Sequence, residues 1–232
     1  MRTQENEVGY LAHPDAPAPG VVMIPDVWGL ADHTRDLARR LADDGFATLA
    51  LDVYRRTGRP ELADPSQAMA WIRELSDPLV LETIQEGIDF LAAHDAVAGR
   101  KVGATGFCMG GQYALLAACG CSGLSACAPF YGMLRYAVGL DPVRKPRSPL
   151  EAIPDLRCPL LGLYGEEDAI IPVADVREAQ ARLAATGQPG EIVLYPGAGH
   201  AFLNDTRPAM FREGPARDAW SRLVPFLRKH LV

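Results

Sequence analysis

The chain of 232 residues contains no apolar run approaching the roughly 20 residues that a helix needs to cross a bilayer, so no membrane partner is expected. Its opening stretch, Met1 to Tyr10, is polar and lacks the apolar centre of a secretory signal. Cysteines are few and odd in number. Cys108, Cys119, Cys121, Cys127 and Cys158 sit at spacings that match no disulfide framework, which points to free thiols and a cytoplasmic location. Cys119 and Cys121 have no second pair or neighbouring histidines, so a zinc site is not expected. Lysine and arginine nowhere cluster into a stripe, and the net charge is −6, which argues against nucleic acid. No H-E-x-x-H, Walker or dinucleotide motif occurs, so neither metal nor cofactor is expected.

What is present is an ordinary globular composition, 48% hydrophobic and 22% charged, in a chain of one-domain length (residues 1–232). Short apolar runs alternate with helical patterns. Strands are predicted at 21–24, 46–51, 101–105, 124–128, 160–164 and 192–195, while Val80, Ile84, Ile88 and Leu91 recur at helical spacing. The first eleven residues alternate too weakly to decide between an edge strand and a hairpin. This order predicts an α/β fold with a mainly parallel central sheet and helices on both faces. One stretch stands apart, residues 140–154, with four prolines around Arg144-Lys145-Pro146-Arg147. It reads either as a lid or insertion near the site, or as a plain surface loop.

The chemistry concentrates at Gly106-Phe107-Cys108-Met109-Gly110-Gly111, directly after the run Val102-Gly103-Ala104. The pattern G-x-nucleophile-x-G marks a sharp turn from strand to helix, with cysteine in the nucleophile position. Small flanking residues let strand and helix approach, and the turn lifts the thiol clear of the sheet. The helix opening at Met109 adds positive potential from unpaired N–H groups, which favours a thiolate. A Gly-rich turn holding a buried cysteine is the competing reading, so the motif needs partners.

Two follow in the required order. Leu160 to Tyr164 reads as a buried strand ending in Gly165-Glu166-Glu167-Asp168, and Ile192 to Tyr195 as another that leads into Pro196-Gly197-Ala198-Gly199-His200. In an open parallel sheet such strand ends converge on one edge, where ligands bind. A histidine there acts as base to the thiol, and a carboxylate fixes its tautomer. The expected triad is Cys108, Asp168 and His200.

These residues resemble the dienelactone hydrolase family of α/β-hydrolases. The resemblance runs from about residue 20 to 232 and is carried by Pro25-Asp26-Val27-Trp28-Gly29-Leu30, Leu51-Asp52-Val53-Tyr54, the cysteine elbow, the 165–168 turn and Gly199-His200-Ala201-Phe202. It implies an acyl-transfer hydrolase with a thioester intermediate, acting on a small-molecule ester or lactone, as a monomer or small homo-oligomer. The backbone N–H of Met109, the residue after the nucleophile, is expected to be one oxyanion donor; the resemblance makes Val27 N–H the other. At Asp26 the family carries glutamate, which controls the thiol proton; an aspartate in that role is shorter by one methylene, and its competing role is a turn acceptor. Trp28, Tyr131 and Phe202 are candidate pocket walls, with core packing as the alternative. Family members that take carboxylate-bearing lactones use an arginine four residues after the histidine and another before the Gln67 helix. Here Asn204 and Asp64-Pro65-Ser66 stand there, which predicts a preference for neutral substrates. Three other readings stay open: a phosphotriester or thioester hydrolase with the same triad, a redox sensor built on Cys108, and a binding protein that has lost turnover.

Overall fold

The computed structural model describes residues 1–61, 65–136 and 140–232, and of residues 65 and 66 only the backbone. The Asp64 position singled out above lies outside the described residues. A hairpin of β1 (Arg2–Asn6) and β2 (Gly9–His13) opens the chain. Five parallel pairings then link β3 (Gly20–Ile24), β4 (Ala47–Leu51), β5 (Val102–Phe107), β6 (Leu124–Phe130), β7 (Leu160–Gly165) and β8 (Gly190–Tyr195). The sheet order is β1-β2-β4-β3-β5-β6-β7-β8, with β2 antiparallel to β4. This is the α/β fold with a mainly parallel central sheet that the sequence pattern predicts.

Parallel strands covered on both faces need apolar side chains at every position, not at alternate ones. The sequences Gly-Val-Val-Met-Ile of β3 and Ala-Thr-Leu-Ala-Leu of β4 meet that need, and each residue is buried. Each Val, Ile or Leu so buried contributes roughly 1.5–3 kcal/mol. On one face lie α1 (Asp32–Asp43) and α7 (Glu213–Leu231), joined where the Trp220 indole N–H donates to Asp44 at 2.9 Å. In α1 the buried residues Thr34, Leu37, Ala38, Leu41 and Ala42 recur every three to four positions. The other face carries α3 (Asp77–Ala93), α4 (Met109–Gly120) and α6 (Val173–Thr186). Among the described residues no helix is long and apolar enough to cross a membrane.

The topology also chooses the site. From β3 the chain crosses to β4 on one side, then returns to β5 on the other. The loops leaving β3 and β5 therefore separate at their carboxyl ends, where a crevice opens. Asp26, Val27, Trp28 and Cys108 line that crevice.

Residues 140–154 take a definite form. Asp141 and Lys145 close a tight antiparallel turn, and Ser148 caps a short helix, α5 (Pro149–Ala152), through a capping box with Glu151. The Lys145 side chain is buried and donates to Asp77 at 2.8 Å. None of these residues lines the cavity at Cys108, whose wall comes instead from α2 (Pro65–Glu74) and from Ile170. Lys145 does line an adjoining cavity, which shares Met69, Ile72 and Ile170 with the one at Cys108.

Candidate active site

Cys108 sits between β5 and α4 with φ 56° and ψ −117°, a conformation that costs a non-glycine residue about 1–3 kcal/mol. Its neighbours explain how the turn closes. A Cβ on Gly106 would enter the Gly110 carbonyl, and one on Gly110 would enter the carbonyls of Ile24 and Pro25. Glycine at both positions lets the first turn of α4 press against the end of β3. The Cys108 N–H is held by the Phe130 carbonyl at 3.1 Å, which fixes the strained residue.

Asp168 and His200 are brought together by a second close approach. Gly165 lies against the Ala198 and Gly199 carbonyls, where any side chain would collide, and Glu167 N–H donates to Ala198 O at 2.9 Å. The loops after β7 and β8 are thus laid side by side. Asp168 Oδ1 accepts the Ile170 and Ile171 N–H groups at 2.8 and 3.2 Å, leaving Oδ2 for His200 Nδ1 at 2.8 Å. The opposite nitrogen, Nε2, is buried and has no hydrogen-bond partner among the described residues. Burial alone would lower the pKa of this imidazole. The Cys108 charge, the hydrogen bond to Asp168 and the Asp168 charge outweigh it and raise the pKa to about 10.

Cys108 and His200 share a cavity of about 120 Å³ with Asp26, Val27, Trp28 and Arg207, walled by apolar side chains including Met69, Ile72 and Ile170. Asp26 Oδ1 accepts the Trp28 N–H at 2.9 Å, so it does form the turn. Its carboxyl also faces the cavity. Burial raises its pKa, against the opposing pull of the Trp28 N–H and the charges of Arg207 and His200. The Val27 N–H meets no acceptor among the described residues, and the Met109 N–H, at the first position of α4, has none within the helix.

A model of the dienelactone hydrolase family matches residues 8–231. The chain belongs to the dienelactone hydrolase family. A Salmonella typhimurium protein provisionally named a carboxymethylenebutenolidase is 34% identical over 226 residues, or 95% of this chain and 82% of that protein. A Bradyrhizobium protein, also provisionally named, is a 2-oxo-3-(5-oxofuran-2-ylidene)propanoate lactonase; it is 33% identical over 98% of this chain and 91% of its own length. The crystal structure of a Klebsiella pneumoniae protein provisionally described as a dienelactone hydrolase superposes with a TM-score of 0.87 at 35% identity, covering 95% of this chain and 92% of the other. Its relatives and family make the protein a hydrolase.

Two expected pocket walls of this dienelactone hydrolase family member lie elsewhere. Tyr131 and Phe202 are 2% and 0% exposed and do not line the cavity. They back His200 from the core, with the Tyr131 ring edge-on to the imidazole at 5.3 Å and to Phe202 at 5.3 Å. Core packing is their role, and Trp28 alone of the three lines the cavity. Arg207, the arginine nearest to Asn204 in the chain, does line the cavity, and its guanidinium stacks on Trp28 at 5.2 Å from the ring centroid. Its only signal was proximity to His200 in the chain.

Proposed function

We propose that this protein hydrolyses small carboxylic esters or lactones through a covalent thioester on Cys108. The carrying observation is the half-buried His200, bonded to Asp168 on one nitrogen and unpartnered on the other, buried one beside Cys108. The thiolate of Cys108 attacks the carbonyl carbon, and the carbonyl electron pair moves onto oxygen. Val27 and Met109 N–H groups receive that oxyanion. Collapse expels the alkoxide, which takes the Nε2 proton of His200 and leaves the acyl group on sulfur. Water then attacks the thioester while His200 takes its proton, releasing the acid and restoring the Cys108 thiolate beside a protonated His200. In a lactone the expelled alkoxide stays tethered to the acyl group, so one hydroxy acid leaves at the end.

Asp26 is the second proton acceptor in this reading, since its carboxyl shares the cavity with the thiol. A redox sensor fits less well. Burial raises the pKa of Cys119 and Cys158 to about 12 and of Cys121 to about 11, and pushes that of Cys127 far up. Cys108 has no reactive thiol to resolve it, and a sensor needs no aspartate–histidine pair. Beside the His200 imidazole the cavity holds the Arg207 guanidinium and the Asp26 carboxyl, whose fields oppose, which supports neutral substrates.

Mixing the protein with a p-nitrophenyl ester and quenching within milliseconds tests the mechanism. Intact-mass spectrometry is expected to find one acyl group, mapped to Cys108. Turnover with no adduct in the wild type, or full turnover by Cys108→Ala, would overturn it.

A further inference from the structure

Tyr54 lies beyond β4, in the Leu51-Asp52-Val53-Tyr54 stretch, and touches neither thiol nor cavity. It is nevertheless 3% exposed, and its hydroxyl points to the cavity's two donor loops. The oxygen donates to the Val27 carbonyl at 2.8 Å and lies 3.6 Å from Met109 Sδ. These are the residues after β3 and after β5 whose N–H groups have no acceptor of their own. The Val27–Trp28 peptide is thereby held at both ends, its N–H by Asp26 and its C=O by Tyr54. The preceding peptide is fixed as well, since Gly29 N–H donates to Asp26 O at 3.0 Å.

The chain supports this placement. Asp52 Oδ1 accepts the Tyr54 N–H at 3.1 Å, which makes the turn that aims the ring. The ring packs against Gly29, where a side chain would crowd it at 3.3 Å, and edge-on to Trp71 at 6.4 Å. Burial, then the charge of Asp26, keep the phenol pKa far above its ordinary value, so it remains a donor at any working pH.

We propose that Tyr54 is a positioning residue that holds the Val27 loop against Met109, so that their two N–H groups converge on one oxyanion. This rests on the thioester mechanism proposed above. An oxyanion hole works because its donors are aimed before charge develops. A Val27 carbonyl released from Tyr54 lets its loop rotate, and one donor drifts from the reacting oxygen.

The test is Tyr54→Phe, which keeps the ring and removes only the oxygen. Losing one oxyanion donor outright costs roughly 10²–10³ in kcat, and a misaimed donor is expected to cost about 10-fold or more. kcat for a neutral ester should fall by that factor with KM within about twofold of wild type. The rate of Cys108 alkylation by iodoacetamide should stay unchanged, because that reaction develops no oxyanion. A purely structural role would move both rates and the melting temperature together, and that outcome overturns the assignment. So does wild-type kcat in Tyr54→Phe. Cys108→Ala, run alongside, separates the two readings. If it is inactive while Tyr54→Phe is normal, only the Tyr54 assignment fails; if it turns over normally, the nucleophile reading fails and takes this assignment with it.

Discussion

Two buried carboxylates in this protein each accept three hydrogen bonds, yet they lead to opposite outcomes. Asp168 takes two backbone N–H groups and one imidazole. Asp77 takes Lys145 Nζ at 2.8 Å and Tyr113 OH at 2.9 Å on one oxygen, and Tyr136 OH at 2.8 Å on the other. The Lys145 ammonium also lies 4.9 Å from the Tyr136 ring centroid, and Gln112 donates to the Tyr136 hydroxyl at 2.8 Å. At Asp77 every donor ends in the cluster, and charge is matched by charge. At Asp168 the third donor is a ring whose far nitrogen stays unpaired beside a thiol held at positive φ. A closed polar cluster ties elements together; an open one leaves a ring nitrogen free to exchange a proton. The first joins the start of α3, α4 and the 140–154 loop.

The largest effect expected from this contrast is a crossing of phenotypes. Cys108→Ala or His200→Ala should reduce ester hydrolysis by about 10³-fold or more, with little change in the urea midpoint. Asp168→Asn should be comparably severe, because it removes the acceptor that fixes the tautomer. Asp77→Ala should do the reverse, since it leaves Lys145 charged and buried without a partner. Breaking such a pair costs about 3–5 kcal/mol, read as a lower urea midpoint, while kcat per folded molecule stays within a few-fold. A His200→Ala protein that is unstable, or an Asp77→Ala protein that is stable but inert, would erase the distinction.

That contrast also separates what the sequence disclosed from what it hid. The elbow, Asp168 and His200 were legible because each follows an apolar run, and parallel topology carries strand ends to one edge. The Asp77–Lys145 pair was not, because 68 residues separate its members and neither side chain breaks a local pattern. The N-terminal hairpin was weakly signalled for a related reason. β1 is a polar, exposed edge and β2 is buried along most of its length, so neither alternates. Tyr131 and Phe202 stand close to candidate site loops in sequence, but only the fold turns their rings behind His200.

A subtler test follows from protonation. The His200 pKa of about 10 stands against burial, which lowers it, chiefly through the Cys108 charge. Removing that charge in Cys108→Ala should therefore drop the pKa well below 10, measured by NMR titration of the imidazole. A value still near 10 would mean that the thiol does not face Nε2. Asp26→Asn keeps the acceptor for the Trp28 N–H and removes the ionisable carboxyl. It should shift the pH profile of Cys108 alkylation if Asp26 takes the thiol proton. An unchanged profile would leave Asp26 as a turn residue only.

Substrate charge is expected to give the smallest effect. Asn204, where the carboxylate-gripping arginine of the resemblance would stand, is 5% exposed and spends its oxygen on Thr206 N–H and Oγ1 at 3.1 and 2.7 Å. It folds a turn and does not enter the cavity. Arg207 does enter, but it stacks on Trp28 and shares its field with Asp26. A charge-assisted hydrogen bond contributes about 1.5–3 kcal/mol. An anionic lactone that gains one such bond from Arg207 must also compete with Asp26 for the field of Arg207 and bring a second carboxylate beside Asp26. A neutral lactone avoids both costs. Its kcat/KM should exceed that of a carboxylate-bearing lactone of equal size and leaving group by roughly tenfold, or about 1.4 kcal/mol. Arg207→Gln should lower the anionic rate further and change the neutral one by less than about threefold. A clear advantage for the anionic lactone in the wild type, lost in Arg207→Gln, would overturn the neutral preference and make Arg207 the carboxylate grip of this site.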